Sequence, residues 1–133
     1  MEHASFLINM EHLEVAKLYL FGSVKFLDLL LLLMVIDVVT GILKAIQNKE
    51  LRSRVSLIGY ARKIGIFGII ILANVIDVAL ELNGMVVTAT VVFYLLNEAL
   101  SIVENAAQIG LPIPTIIKDK LRDFEKEEEE REQ

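Results

Sequence analysis

The chain has 133 residues, enough for one domain or one membrane module, and 55% of them are hydrophobic, above the ~45–50% usual in soluble domains. Without a cysteine, disulfides, thiolate metal sites and a cysteine nucleophile are excluded. The net charge of −5 comes mostly from the last ten residues, and no basic cluster interleaved with aromatics points to nucleic acid.

Residues 1–25 predict a helix that lies at a membrane interface or packs on the rest of the chain. Phe6, Leu7, Ile8, Leu13, Val15, Leu18, Leu20 and Phe21 gather on no single side, and Glu11, Glu14 and Lys17 interrupt them. No cleavable signal peptide is expected, since acidic residues rather than a basic segment precede the first long apolar run. Met1-Glu2-His3 is echoed by Met10-Glu11-His12; this offers a second translation start, although chance accounts for so short a repeat.

Phe26–Ile46, FLDLLLLLMVIDVVTGILKAI, is the first predicted span. About 20 apolar residues rising ~1.5 Å each cover ~30 Å of hydrocarbon. Asp37, Thr40, Gly41 and Lys44 recur at i, i+3/i+4, i+7 and so share one side of the helix. A basic stretch follows, with Lys49, Arg52, Arg54, Arg62 and Lys63 opposed only by Glu50. Ile64–Leu82 is the second span, and its polar stripe is Asn74, Asp77 and Glu81. Asn83-Gly84 makes a tight turn, because both residues tolerate positive φ, and so forces the next helix to run antiparallel. Met85–Ile109 is the third span, with a third stripe of Asn97, Glu98, Ser101, Glu104 and Asn105. Gly110 and the prolines at 112 and 114 end it. In the tail, Ile113, Ile116, Ile117, Leu121 and Phe124 fall on one side of a short amphipathic helix, and Glu127–Glu130 reads as a solvated, frayed end.

The expected fold is an all-α membrane protein with three transmembrane helices, an N-terminal helix and a charged, amphipathic C-terminal helix. It divides into residues 1–25, a transmembrane module over 26–110 and a charged tail over 111–133. Basic residues flank the first loop and follow the third span, so the positive-inside rule puts 47–63 and the tail in the cytoplasm, N-out and C-in. Arg52, Arg54, Arg62 and Lys63 are assigned to orientation and contact with anionic lipid.

An acid at a helix centre costs ~2.5–3.5 kcal/mol on insertion scales, while each Leu or Ile returns only ~0.3–0.6. Asp37, Asp77 and Glu98 therefore need neutralisation, an ion pair such as Asp37 or Asp77 with Lys44, or a shared environment inside an oligomer. The plainer reading is that the stripes merely glue a three-helix bundle. Two functional classes also fit: a pore former with wetted stripes, or an ion- or proton-coupled channel or carrier with the acids as relays. No inverted repeat or broken helix supports a carrier. No nucleophile–base pair, metal-ligand cluster or phosphate loop supports an enzyme, and no cofactor is expected.

The residues in order resemble the phage-lysis and toxin-secretion holins of Gram-positive bacteria and their phages. The resemblance is carried by Asp37-x-x-Thr40-Gly41-x-x-Lys44-Ala45, Leu51-x-Ser53, Gly59-x-x-Arg62-Lys63 and Ala73-Asn74-x-x-Asp77. Asn97-Glu98-x-x-Ser101-Ile102-x-Glu104-Asn105 and Gly110-Leu111-Pro112-Ile113-Pro114 complete it. It covers residues 37–114 and leaves out the N-terminal 25 residues and the acidic tail. It implies a non-enzymatic protein of the bacterial cytoplasmic membrane that oligomerises and opens lesions, through which a cell-wall hydrolase or a toxin leaves the cell. It implies self-association and partnership with lipid, an endolysin or toxin cargo and an antiholin, and it admits an antiholin role for the chain itself. The stripe residues become assembly and pore positions under this resemblance.

Overall fold

The computed structural model describes residues 2–49 and 53–133, with 53–56 followed as helix backbone. Among the described residues it is all-helical, with five helices. They are α1 (Glu2–Phe21), α2 (Leu27–Gln47), α3 (Ser53–Leu80), α4 (Met85–Ile109) and α5 (Thr115–Glu132). Leu27–Gln47, Leu57–Leu80 and Met85–Ile109 are each long and apolar enough to cross a membrane.

The ends of these helices follow from local chemistry. Asn83 (φ 56°) and Gly84 (φ 81°) form the left-handed turn between α3 and α4, which needs residues tolerant of positive φ. Gly110 (φ 93°) ends α4: its N–H donates to Ala107 O at 3.1 Å, and the N–H of Leu111 donates to Ala106 O at 3.0 Å. This paired closure satisfies carbonyls that have no partner further along the helix. Glu81 (φ 53°) ends α3 in the same way, and Leu82 N donates to Asp77 O at 3.0 Å. The second helix thus stops two residues before the expected Leu82, and Glu81 belongs to its cap rather than to a stripe along it.

The start of that helix differs more. The expected loop over 47–63 is mostly helix, because no proline interrupts residues 53–80 and α3 runs unbroken from Ser53. Arg62 and Lys63 therefore sit inside α3. Arg62 is exposed on it, while Lys63 turns inward. Arg52 lies outside the described residues, and of Arg54 only its place in α3 is described.

Helix α4 is the centre of the bundle. It packs most closely on α2 and next on α3, with α5 also against it, while α1 touches α3. The apolar core is Leu27, Leu30 and Met34 of α2, Ile70 and Ala73 of α3, and Val87 and Val91 of α4. This core occupies the end of the bundle near the α3–α4 turn. Further along each helix the inward residues become polar. Around the bundle, large apolar side chains such as Val35, Val39, Ile64, Leu72 and Val78 face outward, as lipid-facing surfaces do and soluble bundles do not.

The two outer helices form where the sequence places them. Helix α1 buries none of its residues, yet its C-terminal end is anchored: Phe21 meets Phe67 edge-to-face at 6.3 Å, and Lys17 pairs with Asp28 at 3.1 Å. Helix α5 extends to Glu132, so the Glu127–Glu130 run is helical rather than frayed. It doubles back along α4, burying Leu121 and setting Phe124 against Phe93 at 6.4 Å. Most of its 18 residues are charged, so its outer side is compatible with water and not with hydrocarbon.

Candidate functional site: a polar network joining the three spans

Asp37, Lys63 and Glu98 come from three different spans and meet inside the bundle. Lys63 Nζ donates to Asp37 Oδ2 at 2.7 Å and to Glu98 Oε2 at 2.6 Å. All three side chains are largely shielded, with relative exposures of 12% for Asp37, 19% for Lys63 and 8% for Glu98. Such short, charge-assisted hydrogen bonds are roughly twice as strong as neutral ones. One ammonium serves two carboxylates, so the cluster carries a surplus negative charge when all three groups are ionised.

Asn105 extends the network. Its Nδ2 donates to Asp37 Oδ1 at 3.0 Å, to Asp37 O at 3.4 Å and to Thr40 Oγ1 at 3.2 Å. The Thr40 hydroxyl lies against its own helix, near Ile36 O at 2.9 Å and Asp37 O at 3.1 Å. Gly41 borders the amide, and a Cβ there would stand 3.7 Å from Asn105 Nδ2, an ordinary contact. Among the described residues, no buried side-chain nitrogen or oxygen lacks a partner.

Two other predicted stripe residues have separate tasks at the far end of the bundle. Asp77 accepts the backbone N–H of Val86 at 3.0 Å on Oδ1 and that of Val87 at 2.7 Å on Oδ2. It thereby caps α4 from α3, at the positive end of that helix's dipole. Asn74 Nδ2 donates to Leu20 O at 3.0 Å and Tyr19 O at 3.4 Å, which are terminal carbonyls of α1. Gly22 (φ +65°) allows this approach, since a Cβ there would lie 2.6 Å from Asn74 Oδ1.

The expected pairing of Asp37 or Asp77 with Lys44 is not formed. Lys44 is two turns from Asp37, about 10.5 Å along one axis, and Asp77 belongs to the opposite end of the bundle. Lys44 and Ser101 are half-buried, whereas Asn97 and Glu104 are exposed on the outer side of α4. Asn97 Nδ2 donates back to Phe93 O at 3.0 Å. The structure therefore splits the α4 stripe into an inward pair, Glu98 and Asn105, and an outward pair, Asn97 and Glu104.

Contact with anionic lipid, expected of Lys63, needs its ammonium at the membrane surface; in the structure it is instead the hub of the network. The signal that places it there is spacing: residues 63, 70 and 77 are seven apart, and Ile70 and Asp77 are buried on α3. A span begun at Ile64 cuts Lys63 off from this row.

Comparison with known proteins agrees with the architecture. The family model described as "Bacteriophage holin family" matches residues 15–126. That match includes the end of α1 and much of α5, beyond the 37–114 stretch that carries the sequence resemblance. A "Probable holin" of Bacillus phage phi105 is 50% identical over 124 residues, covering 93% of this chain and 92% of that protein. The Bacillus subtilis (strain 168) protein YqxH is 55% identical over 130 residues, covering 98% of this chain and 93% of that one. A 14.9 kDa protein in the nagH 3′ region of Clostridium perfringens is 37% identical over 95 residues, covering 70% and 71% respectively. No solved structure matches the chain. With three apolar spans locked by a shared ion cluster, and with a family match across most of its length, the chain belongs to the bacteriophage holin family.

Proposed function

We propose that the protein assembles in the bacterial cytoplasmic membrane, N-out and C-in, and opens lesions through which a cell-wall hydrolase or a toxin passes. The observation that carries this reading is the Asp37–Lys63–Glu98 cluster. It satisfies the acids of a single copy inside its own bundle, so the chain can accumulate in lipid without exposing them. Opening then exchanges these internal contacts for a wet lumen. A unit charge moved through the full field is worth about 2.3 kcal/mol per 100 mV, so an energised membrane can hold the closed arrangement and its collapse can release it.

The test is timed induction in a bacterium that carries a cytoplasmic hydrolase, with membrane potential and hydrolase release followed together. Abrupt depolarisation with release of the intact hydrolase is expected. Depolarisation without release of macromolecules would identify an ion channel, and delayed release by a co-expressed relative would identify an antiholin. Either outcome overturns the proposal.

A further inference from the structure

The network above accounts for the inward side of α4 and leaves its outward side unexplained. Thr90, Phe93, Asn97, Leu100 and Glu104 are spaced three, four, three and four apart. None of them is buried, while Val87, Val91, Glu98 and Asn105 are buried on the other side. Alternating spacings of three and four trace a single seam along a helix, the pattern by which two helices wind around one another. Such a seam is normally covered. Helix α5 reaches only its N-terminal half, where Phe124 meets Phe93 and Glu127, Glu128 and Arg131 share a groove with Thr90 and Phe93; Asn97, Leu100 and Glu104 lie beyond that groove.

Asn97 is the middle residue of the 25-residue α4, and so it stands at the depth where lipid is driest. One N–H serves Phe93 O in its own helix, but lipid tails offer nothing to the amide oxygen. An exposed amide there costs free energy unless another polar group reaches it. The carboxamide both donates and accepts, so it is complementary to the same residue on a second, parallel helix. Seven residues further on, Glu104 is near the membrane edge, where water can solvate it. Helix α5 cannot satisfy the seam from within hydrocarbon, because most of its residues are charged.

We infer that this seam of α4 is where copies of the chain meet in the membrane, with Asn97 hydrogen-bonded to Asn97 of the next copy. The inference rests on the proposed assembly in the membrane and names its contact face.

The chain contains no cysteine, so single-cysteine variants report directly on this face. Leu100→Cys and Glu104→Cys are placed on the seam, and Leu72→Cys and Val78→Cys on the outward face of α3. Each full-length variant is reconstituted in phosphatidylethanolamine–phosphatidylglycerol vesicles, oxidised, and resolved under non-reducing conditions. Seam variants should form cross-linked dimers and α3 variants should not. Adding Asn97→Leu to Leu100→Cys should weaken cross-linking by about threefold to tenfold, the effect expected for loss of an interhelical amide contact, and Asn97→Gln should restore it.

Equal cross-linking from α3, or none from the seam, overturns the inference, as does indifference to Asn97→Leu. Release of an enclosed protein marker from the same vesicles by the cysteine-free chain is scored separately. Marker release with cross-links elsewhere leaves lesion formation standing and sinks the seam. Seam cross-links without marker release do the reverse.

Discussion

At the scale of single residues, Lys63 matters most, because among the described residues its charge is the only positive one in the cluster with Asp37 and Glu98. Lys63→Met leaves two carboxylates facing each other without a cation. Breaking a buried pair in this way is destabilising by about 3–5 kcal/mol. Glu98→Gln removes the surplus charge and leaves a one-to-one pair of Asp37 with Lys63, so it should perturb the bundle far less. Denaturation of the purified variants in detergent should show Lys63→Met unfolding well before the parent and Glu98→Gln close to it. The acids of this cluster were legible in the sequence as groups needing company. The company itself was not, because the partner of Asp37 lies 26 residues away on another helix, and only packing determines which cation arrives.

At the scale of elements, α1 is the least integrated helix. Its apolar residues surround it on all sides and none is buried. Anchorage depends on its C-terminal end, where Asn74 takes up the carbonyls of Tyr19 and Leu20. Gly22→Ala places a Cβ 2.6 Å from Asn74 Oδ1 in a left-handed backbone conformation, which itself costs roughly 1–2 kcal/mol for a residue other than glycine. The expected outcome is a loosened α1 on an intact bundle. Hydrogen exchange should quicken over the C-terminal turn of α1 and stay unchanged in the core of α2–α4. Equal quickening in both regions would mean that α1 is integral to the bundle. The existence of α1 was readable from sequence, but its attachment was not, since its residues show no apolar stripe and the tether is a side chain of α3.

For the whole molecule, the question is how α5 and the three spans share one environment. The structure sets Leu121 and Phe124 of α5 along α4, and the C-terminal turns of α5 reach the groove of about 1080 Å³ beside the α3–α4 turn, lined by Glu127, Glu128 and Arg131. With lipid against this side of α4, so charged a helix must move to water. In the proposed orientation, the tail should be cut by protease added to inverted membrane vesicles and spared in right-side-out vesicles, while α2–α4 stay protected in both. Protection of the tail from both sides would show that α5 remains docked within the membrane, on a wet face.

The apolar runs, the Asn83-Gly84 turn and the Gly110 stop were determined by the sequence alone. They depend on hydrophobic length and on local backbone freedom, which neighbouring residues control. Four features were decided only by the tertiary structure. Lys63 joins the acids, Asp77 caps a different helix, Asn74 holds α1, and the α4 stripe divides into an inward and an outward half. Periodicity shows that polar residues share a side of a helix, but the helices packed around that side determine which of them find partners and which remain exposed.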